Sequence, residues 1–145
     1  MIPIRDTQRS HRRPFVNWIM ILLNILVFAF QLTFSEPALQ AFIVKWGIVP
    51  GVITNPMRYP PGVVAQTSGM VGLFTSLFIH VGWVHLIGNM FYLFIFGDNV
   101  EDLLGHGRYL VFYIFCGVAA SIAHILSNPR SLVPTVGASG AVAGV

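Results

Sequence analysis

Apolar residues fall into four runs along the chain, separated by segments that carry most of the prolines and charges. The first covers 15–34 and is interrupted by Asn17, Asn24, Gln31 and Thr33. A helix needs about 20 residues to cross roughly 30 Å of hydrocarbon, and this run has that length. It is too long for the apolar core of a signal peptide, and no small-residue cleavage site comes after it, so it reads as a retained helix. Asn24 lies mid-run, where an amide is expected to face protein rather than lipid. The second run extends from about residue 72 or 80 to 96. Its start is ambiguous because "GLFTSLFIHVGW" also reads as a separate short piece. The third covers 109–126, with Gly117 and Ser121, and Ala119 and Ala123, at a four-residue spacing that favours close helix packing. The fourth opens at 136 and is ten residues long at the last residue, Val145. Ten residues reach about 15 Å, half of a hydrocarbon core, so the chain is expected to be the front part of a longer protein, truncated within its fourth span.

The connections carry their own signals. Residues 35–70 are semi-apolar, with Lys45 and Trp46 as interfacial types, and Pro50, Pro56, Pro60 and Pro61 break any continuous helix. This segment is expected to lie at the membrane interface. "GDNVEDLLGHGR" reads as a short turn, and 127–135, with Pro129 and Pro134, as a return.

Composition agrees with a membrane assignment. Hydrophobic residues make up 55% and charged residues 9% of the 145, and the mean hydropathy is +0.75. A soluble domain carries about 25% charged residues. The expected fold is therefore an all-α, multi-pass transmembrane helical bundle, with 1–14 a cytoplasmic N-terminal segment and 15–145 one membrane domain. The net charge of +3 matters less than its placement. Arg5, Arg9, Arg12 and Arg13 precede the first run, and the positive-inside rule explains them more simply than nucleic-acid binding does. They place the N-terminus in the cytoplasm. The turn after the second run adds little, because Arg108 is opposed by Asp98, Glu101 and Asp102. Cys116, the single cysteine, cannot pair within the chain and reads as a small packing residue.

Chemistry concentrates in two places. Gly137-Ala138-Ser139-Gly140 puts a serine between glycines at the head of the fourth run. Ser139 there is either a helix cap or packing residue, or a nucleophile whose neighbouring free N–H groups hold an oxyanion. In "HVGWVHLIGNM", His85 and Asn89 are four apart and share a helix face. With His80 they offer interhelical hydrogen bonds, side-chain donors for an oxyanion, or a metal site. The metal reading is weakened by the five-residue spacing of His80 and His85 and by the want of a clear Cys or carboxylate partner. His124, near the end of the third run, either snorkels to the interface or approaches Ser139 as a base. His11 and His106 are expected to be solvated. Glu101 and Arg108 flank a glycine-rich turn and are expected to pair or to cap neighbouring helices.

Taken jointly, "HVGWVHLIGNM", "FGDNVEDLLGHGRY" and "GASGAVAGV" resemble the rhomboid family of intramembrane serine proteases. The resemblance implies that Ser139 is the nucleophile of a serine endopeptidase cleaving transmembrane protein substrates near the membrane surface. It implies that His85, Asn89 and the Ser139 backbone N–H stabilise the oxyanion, with His80, Gly137 and Gly140 in support. Rhomboids use a Ser–His dyad whose histidine lies on a later span. None of His80, His85 and His124 matches that motif, so the chain alone is expected to be inactive. The Trp-Arg pair of some members is not matched either, since Gly47 comes after Trp46 and Met57 precedes Arg58. The resemblance implies no cofactor, no metal and no nucleic-acid partner; the lipid bilayer is the other partner, in the cell's inner (plasma) membrane. Two rivals stand beside this reading: a non-catalytic, derlin-type protein that binds membrane clients, and a metal or ion carrier using His80, His85 and Asn89.

Overall fold

A computed structural model describes residues 13–145; Arg5, Arg9, Arg12 and His11, with most of the expected cytoplasmic segment, lie outside the described residues. The first run folds as α1 (Phe15–Gln31). Its buried residues are Asn17, Met20, Asn24, Phe28 and Gln31, a single stripe at three- and four-residue spacing. The stripe carries three amides, while Trp18, Ile19, Leu22, Leu23, Ile25, Leu26 and Phe30 face outward. This pattern inverts that of a soluble helix and suits one whose surroundings are hydrocarbon. Asn24 is fully buried and donates to the Met20 carbonyl at 2.8 Å, so its amide faces protein as expected.

The long connection is more helical than its prolines suggest. It forms α2 (Glu36–Trp46), α3 (Pro50–Thr54), a 3₁₀ turn at Pro56–Arg58 and α4 (Pro61–Ala65). Each of these has a proline at its first or second position. A proline there loses no hydrogen bond, because the first N–H groups of a helix have no partner anyway. The prolines thus start short helices as well as ending others.

The ambiguity at the second run resolves as a break. A 3₁₀ turn at Gly69–Val71, α5 (Gly72–Thr75) and a 3₁₀ turn at Ser76–Phe78 precede α6 (Trp83–Leu104). The helices of Pro61–Phe78 and Trp83–Leu104 are bent by 72° at this break. α6 runs eight residues beyond 96, through the segment expected to be a turn. Gly97 does not break it, because a side chain there would collide with the Asn17 amide that packs against it. The turn itself is Gly105, whose φ of 79° closes α6 through an N–H to Glu101 carbonyl bond of 2.8 Å.

α7 (His106–Ser127) begins at the very next residue. Among the described residues it is the one helix long and apolar enough to cross a membrane unaided; α6 qualifies with the bent segment before it, and α1 is apolar but has 17 residues. Tyr109, Tyr113, Gly117, Ser121 and Ile125 form its buried stripe. The Gly117 and Ser121 pair therefore packs as expected, whereas Ala119 and Ala123 are exposed. The fourth run becomes helical only at α8 (Ser139–Val142). It lies against α7 through small residues: a Cβ on Gly140 would strike Ala120, and one on Gly144 would strike Cys116. Cys116 is thus a packing residue of this contact.

Helix directions are set by the contacts. Asn17, at the head of α1, donates to Leu93 O at 2.9 Å and accepts from the Tyr109 hydroxyl at 3.0 Å. Gln31, at its tail, meets His80 just before α6. α6 is therefore antiparallel to α1, and α7 returns parallel to α1.

Candidate functional site

The site is assembled where α6 begins and α8 begins. Thr135 and Ile48 form an isolated antiparallel bridge, with N–H to O distances of 2.7 and 2.9 Å, that brings the last segment back against the first connection. Two residues on, the Gly137 N–H donates to Ser76 O at 2.8 Å. Gly137 has φ 124°, a backbone conformation that side-chain-bearing residues rarely adopt. A Cβ there would also overlap the His85 imidazole. Glycine is thus required on two independent grounds, and Gly137→Ala is expected to destabilise the fold by about 1–3 kcal/mol, read as an earlier unfolding midpoint in detergent.

Ala138 is fully buried after this turn and Ser139 opens α8. Ser139 is exposed, and its hydroxyl has no hydrogen-bond partner among the described residues. Its depth can be estimated from α7. Ala120, against which Gly140 packs, lies seven residues before the end of that helix, or about 10 Å along its axis.

His80, His85 and Asn89 form one cluster. The two imidazole centroids are 5.0 Å apart at 64°. Asn89 Nδ2 lies 3.1 Å from His80 Nε2. An amide nitrogen can only donate, so His80 Nε2 accepts and the ring proton sits on Nδ1. The second Asn89 N–H has no acceptor among the described residues. His80 is held through its backbone: Gln31 Oε1 accepts from its N–H at 3.1 Å and Gln31 Nε2 donates to its carbonyl at 2.9 Å. Gln31 thus fixes the His80 peptide, and its one signal in the sequence is an amide at the end of an apolar run.

The structure therefore brings His80, His85, Asn89 and Gly137 into one cluster, with Ser139 two residues beyond the glycine turn. Side-chain N–H donors stand beside a helix start that presents an unengaged hydroxyl, an arrangement able to receive negative charge developing on a carbonyl oxygen. The remaining histidines are engaged elsewhere. His124 Nε2 is 2.8 Å from Thr135 Oγ1, so it ties α7 to the bridge rather than facing Ser139. His106, expected to be solvated, is 44% exposed but bonds Glu101 through Nδ1 at 2.5 Å. Glu101 takes no part in a pair with Arg108; it caps α1 by accepting from the Val16 and Asn17 N–H groups. Among the described residues no group of three or more His, Cys, Asp or Glu side chains is placed to hold a metal.

Comparison with known proteins bears on the same segment. A family model described as the rhomboid domain matches residues 67–145, which includes His80, His85, Asn89 and Ser139. Rhomboid-like protein 11, chloroplastic, of Arabidopsis thaliana is 45% identical over 71 residues, 49% of this chain and 25% of its own length. Rhomboid protease GluP of Bacillus subtilis (strain 168) is 39% identical over 72 residues, 50% of this chain and 14% of its own. RHOMBOID-like protein 6, mitochondrial, of Arabidopsis thaliana is 38% identical over 82 residues, 57% of this chain and 26% of its own. The chain thus spans about a quarter or less of the length of these relatives. No solved structure matches it.

Proposed function

Since the chain belongs to the rhomboid family, and is on that ground an integral membrane protein, we propose that it forms the nucleophile-bearing part of an intramembrane serine endopeptidase acting on transmembrane protein substrates. The observation that carries this reading is the Gly137 turn, set against the His85 ring immediately before an exposed serine at a helix start. Ser139 Oγ attacks the scissile carbonyl, and its proton passes to a histidine base. The oxyanion is held by the Ser139 N–H, His85 and the free N–H of Asn89, with His80 positioning Asn89. The adduct then collapses, the peptide C–N bond breaks, and the amine leaves with the proton that the histidine base took from Ser139; water, giving a proton to the same base, attacks the acyl ester and frees the acid and the Ser139 hydroxyl.

Among the described residues no histidine is placed as that base. His80 is bonded to Asn89, His106 to Glu101 and His124 to Thr135, and His85 stands at the oxyanion side of the serine. Residues 15–145 are read as one membrane domain, with 1–14 cytoplasmic, in the cell's inner (plasma) membrane. The arginines at 5, 9, 12 and 13 support the orientation.

A second reading, client binding without cleavage, is favoured by the unengaged Ser139 hydroxyl. The two separate on one experiment: the complete protein in detergent is treated with a fluorophosphonate and digested. Adduct mass at the Ser139 peptide supports the peptidase, and an unmodified Ser139 under conditions that label a control serine hydrolase leaves client binding as the function.

A further inference from the structure

We propose that Arg58 and Arg130 form a binding site for the phosphate of an anionic phospholipid headgroup, at the end of the bundle where α1 and α7 finish. The two residues are 72 positions apart, yet both line one cavity of about 260 Å³ together with Asn55 and Tyr59. Neither guanidinium has a carboxylate partner among the described residues. Two cations lining one small cavity repel each other unless an anion lies between them, and guanidinium groups, an amide and a phenol are suited to phosphate oxygens.

The cavity is built rather than incidental. Gly51 N–H donates to Ser131 O at 2.8 Å, and Thr54 Oγ1 donates to Pro129 O at 2.5 Å. These bonds dock α3 onto the segment leaving α7, so Arg58 and Arg130 occupy the same level. That level is the lipid headgroup region. α7 has 22 residues, about 33 Å, enough to cross the hydrocarbon, and Arg130 lies three residues past its end. The neighbours of the two arginines have the complementary character. Met57 is 94% exposed and Val133 is 71% exposed, with Leu132 beside it. Apolar side chains so exposed next to a cationic cavity fit a boundary where acyl chains end and phosphates begin. An acidic peptide in water would satisfy the charge but not these residues. The site is separate from the Ser139 cluster, and the inference stands whether or not that serine is a nucleophile.

Native mass spectrometry of the full chain, with phosphatidylglycerol and phosphatidylcholine offered in equal amounts, tests it. Phosphatidylglycerol is expected to be retained preferentially. Arg58→Gln or Arg130→Gln should each weaken retention about fivefold, and the double variant about 25-fold. Arg58→Lys with Arg130→Lys should keep most of it, with circular dichroism showing that all variants remain helical. Equal retention of the two lipids, or a double glutamine variant that holds phosphatidylglycerol as the parent does, overturns the proposal. Inorganic phosphate that binds the lipid-free protein and displaces the lipid at millimolar concentration assigns the site to a free anion instead. Binding of an acidic peptide with no lipid preference assigns it to a protein ligand, and both results reject the headgroup.

Discussion

Ser139→Ala is expected to abolish fluorophosphonate labelling and substrate cleavage by the complete protein, lowering turnover about 10⁴-fold or more, while leaving its stability within about 0.5 kcal/mol of the parent. The two halves of this expectation have separate causes. The serine side chain is exposed and makes no hydrogen bond among the described residues, so replacing its hydroxyl by hydrogen removes no contact that holds the fold. In the proposed reaction the same hydroxyl is the nucleophile, beside the turn that Gly137 builds against His85. His85→Ala and Asn89→Ala should act differently. In the proposed reaction each removes one donor to the oxyanion, and each should lower cleavage about 10²–10³-fold without abolishing the adduct. Asn89→Ala should also unfold earlier than the parent, because it strips the buried His80 ring of its side-chain hydrogen bond. Full cleavage by Ser139→Ala would remove the peptidase reading, and equal loss in all three variants with a collapsed fold would remove the division of roles.

How much the sequence disclosed depends on the range over which each interaction acts. The third span was legible because an apolar run of helical length needs no distant partner to be recognised, and α7 matches 109–126 with three residues added at its start and one at its end. The extension of α6 to Leu104 was not legible. Gly97, Asp98 and Asn99 have turn propensity, and their helical state depends on Asn17 packing on Gly97 and on Glu101 reaching α1, both over more than 75 residues of chain. The prolines of the first connection were read as breakers. Proline's exclusion from helix interiors is local, whereas its role as a helix starter depends on whether the residues after it can extend the helix.

The site divides in the same way. His85 and Asn89 share a face by spacing alone, whereas the φ of 124° at Gly137 had no signal beyond the residue being a glycine. The contact between Gly137 and the His85 ring, and the grip of Gln31 on the His80 peptide, join residues 52 and 49 apart and have no sequence signature. His124 is a candidate base by its nearness to Ser139 in sequence. Thr135, a member of the bridge that orders this segment, takes its Nε2 instead.

Glu101→Ala is expected to destabilise the protein by about 3–5 kcal/mol, a larger cost to the fold than that expected for Gly137→Ala. The Glu101 side chain is 1% exposed and its carboxylate accepts three hydrogen bonds, from Val16 N at 3.0 Å, Asn17 N at 2.7 Å and His106 Nδ1 at 2.5 Å. α1 has no side-chain cap of its own at Pro14, so Glu101 supplies that cap from α6, with its negative charge at the positive end of the helix. Alanine would leave two N–H groups without partners at the head of a helix whose flanks are apolar, where each orphan costs about 1–3 kcal/mol. Glu101→Gln should fall between, since one amide oxygen can still accept but the NH₂ opposes a helix N–H. His106→Ala should cost far less, because that side chain is 44% exposed and the two backbone bonds survive it. Unfolding by sodium dodecyl sulfate from mixed micelles would rank the three, and the order Ala, Gln, His106→Ala is the signature of a cap. If Glu101→Ala unfolds within about 0.5 kcal/mol of the parent, Glu101 does not anchor α1, and the antiparallel pairing of α1 with α6 needs another cause.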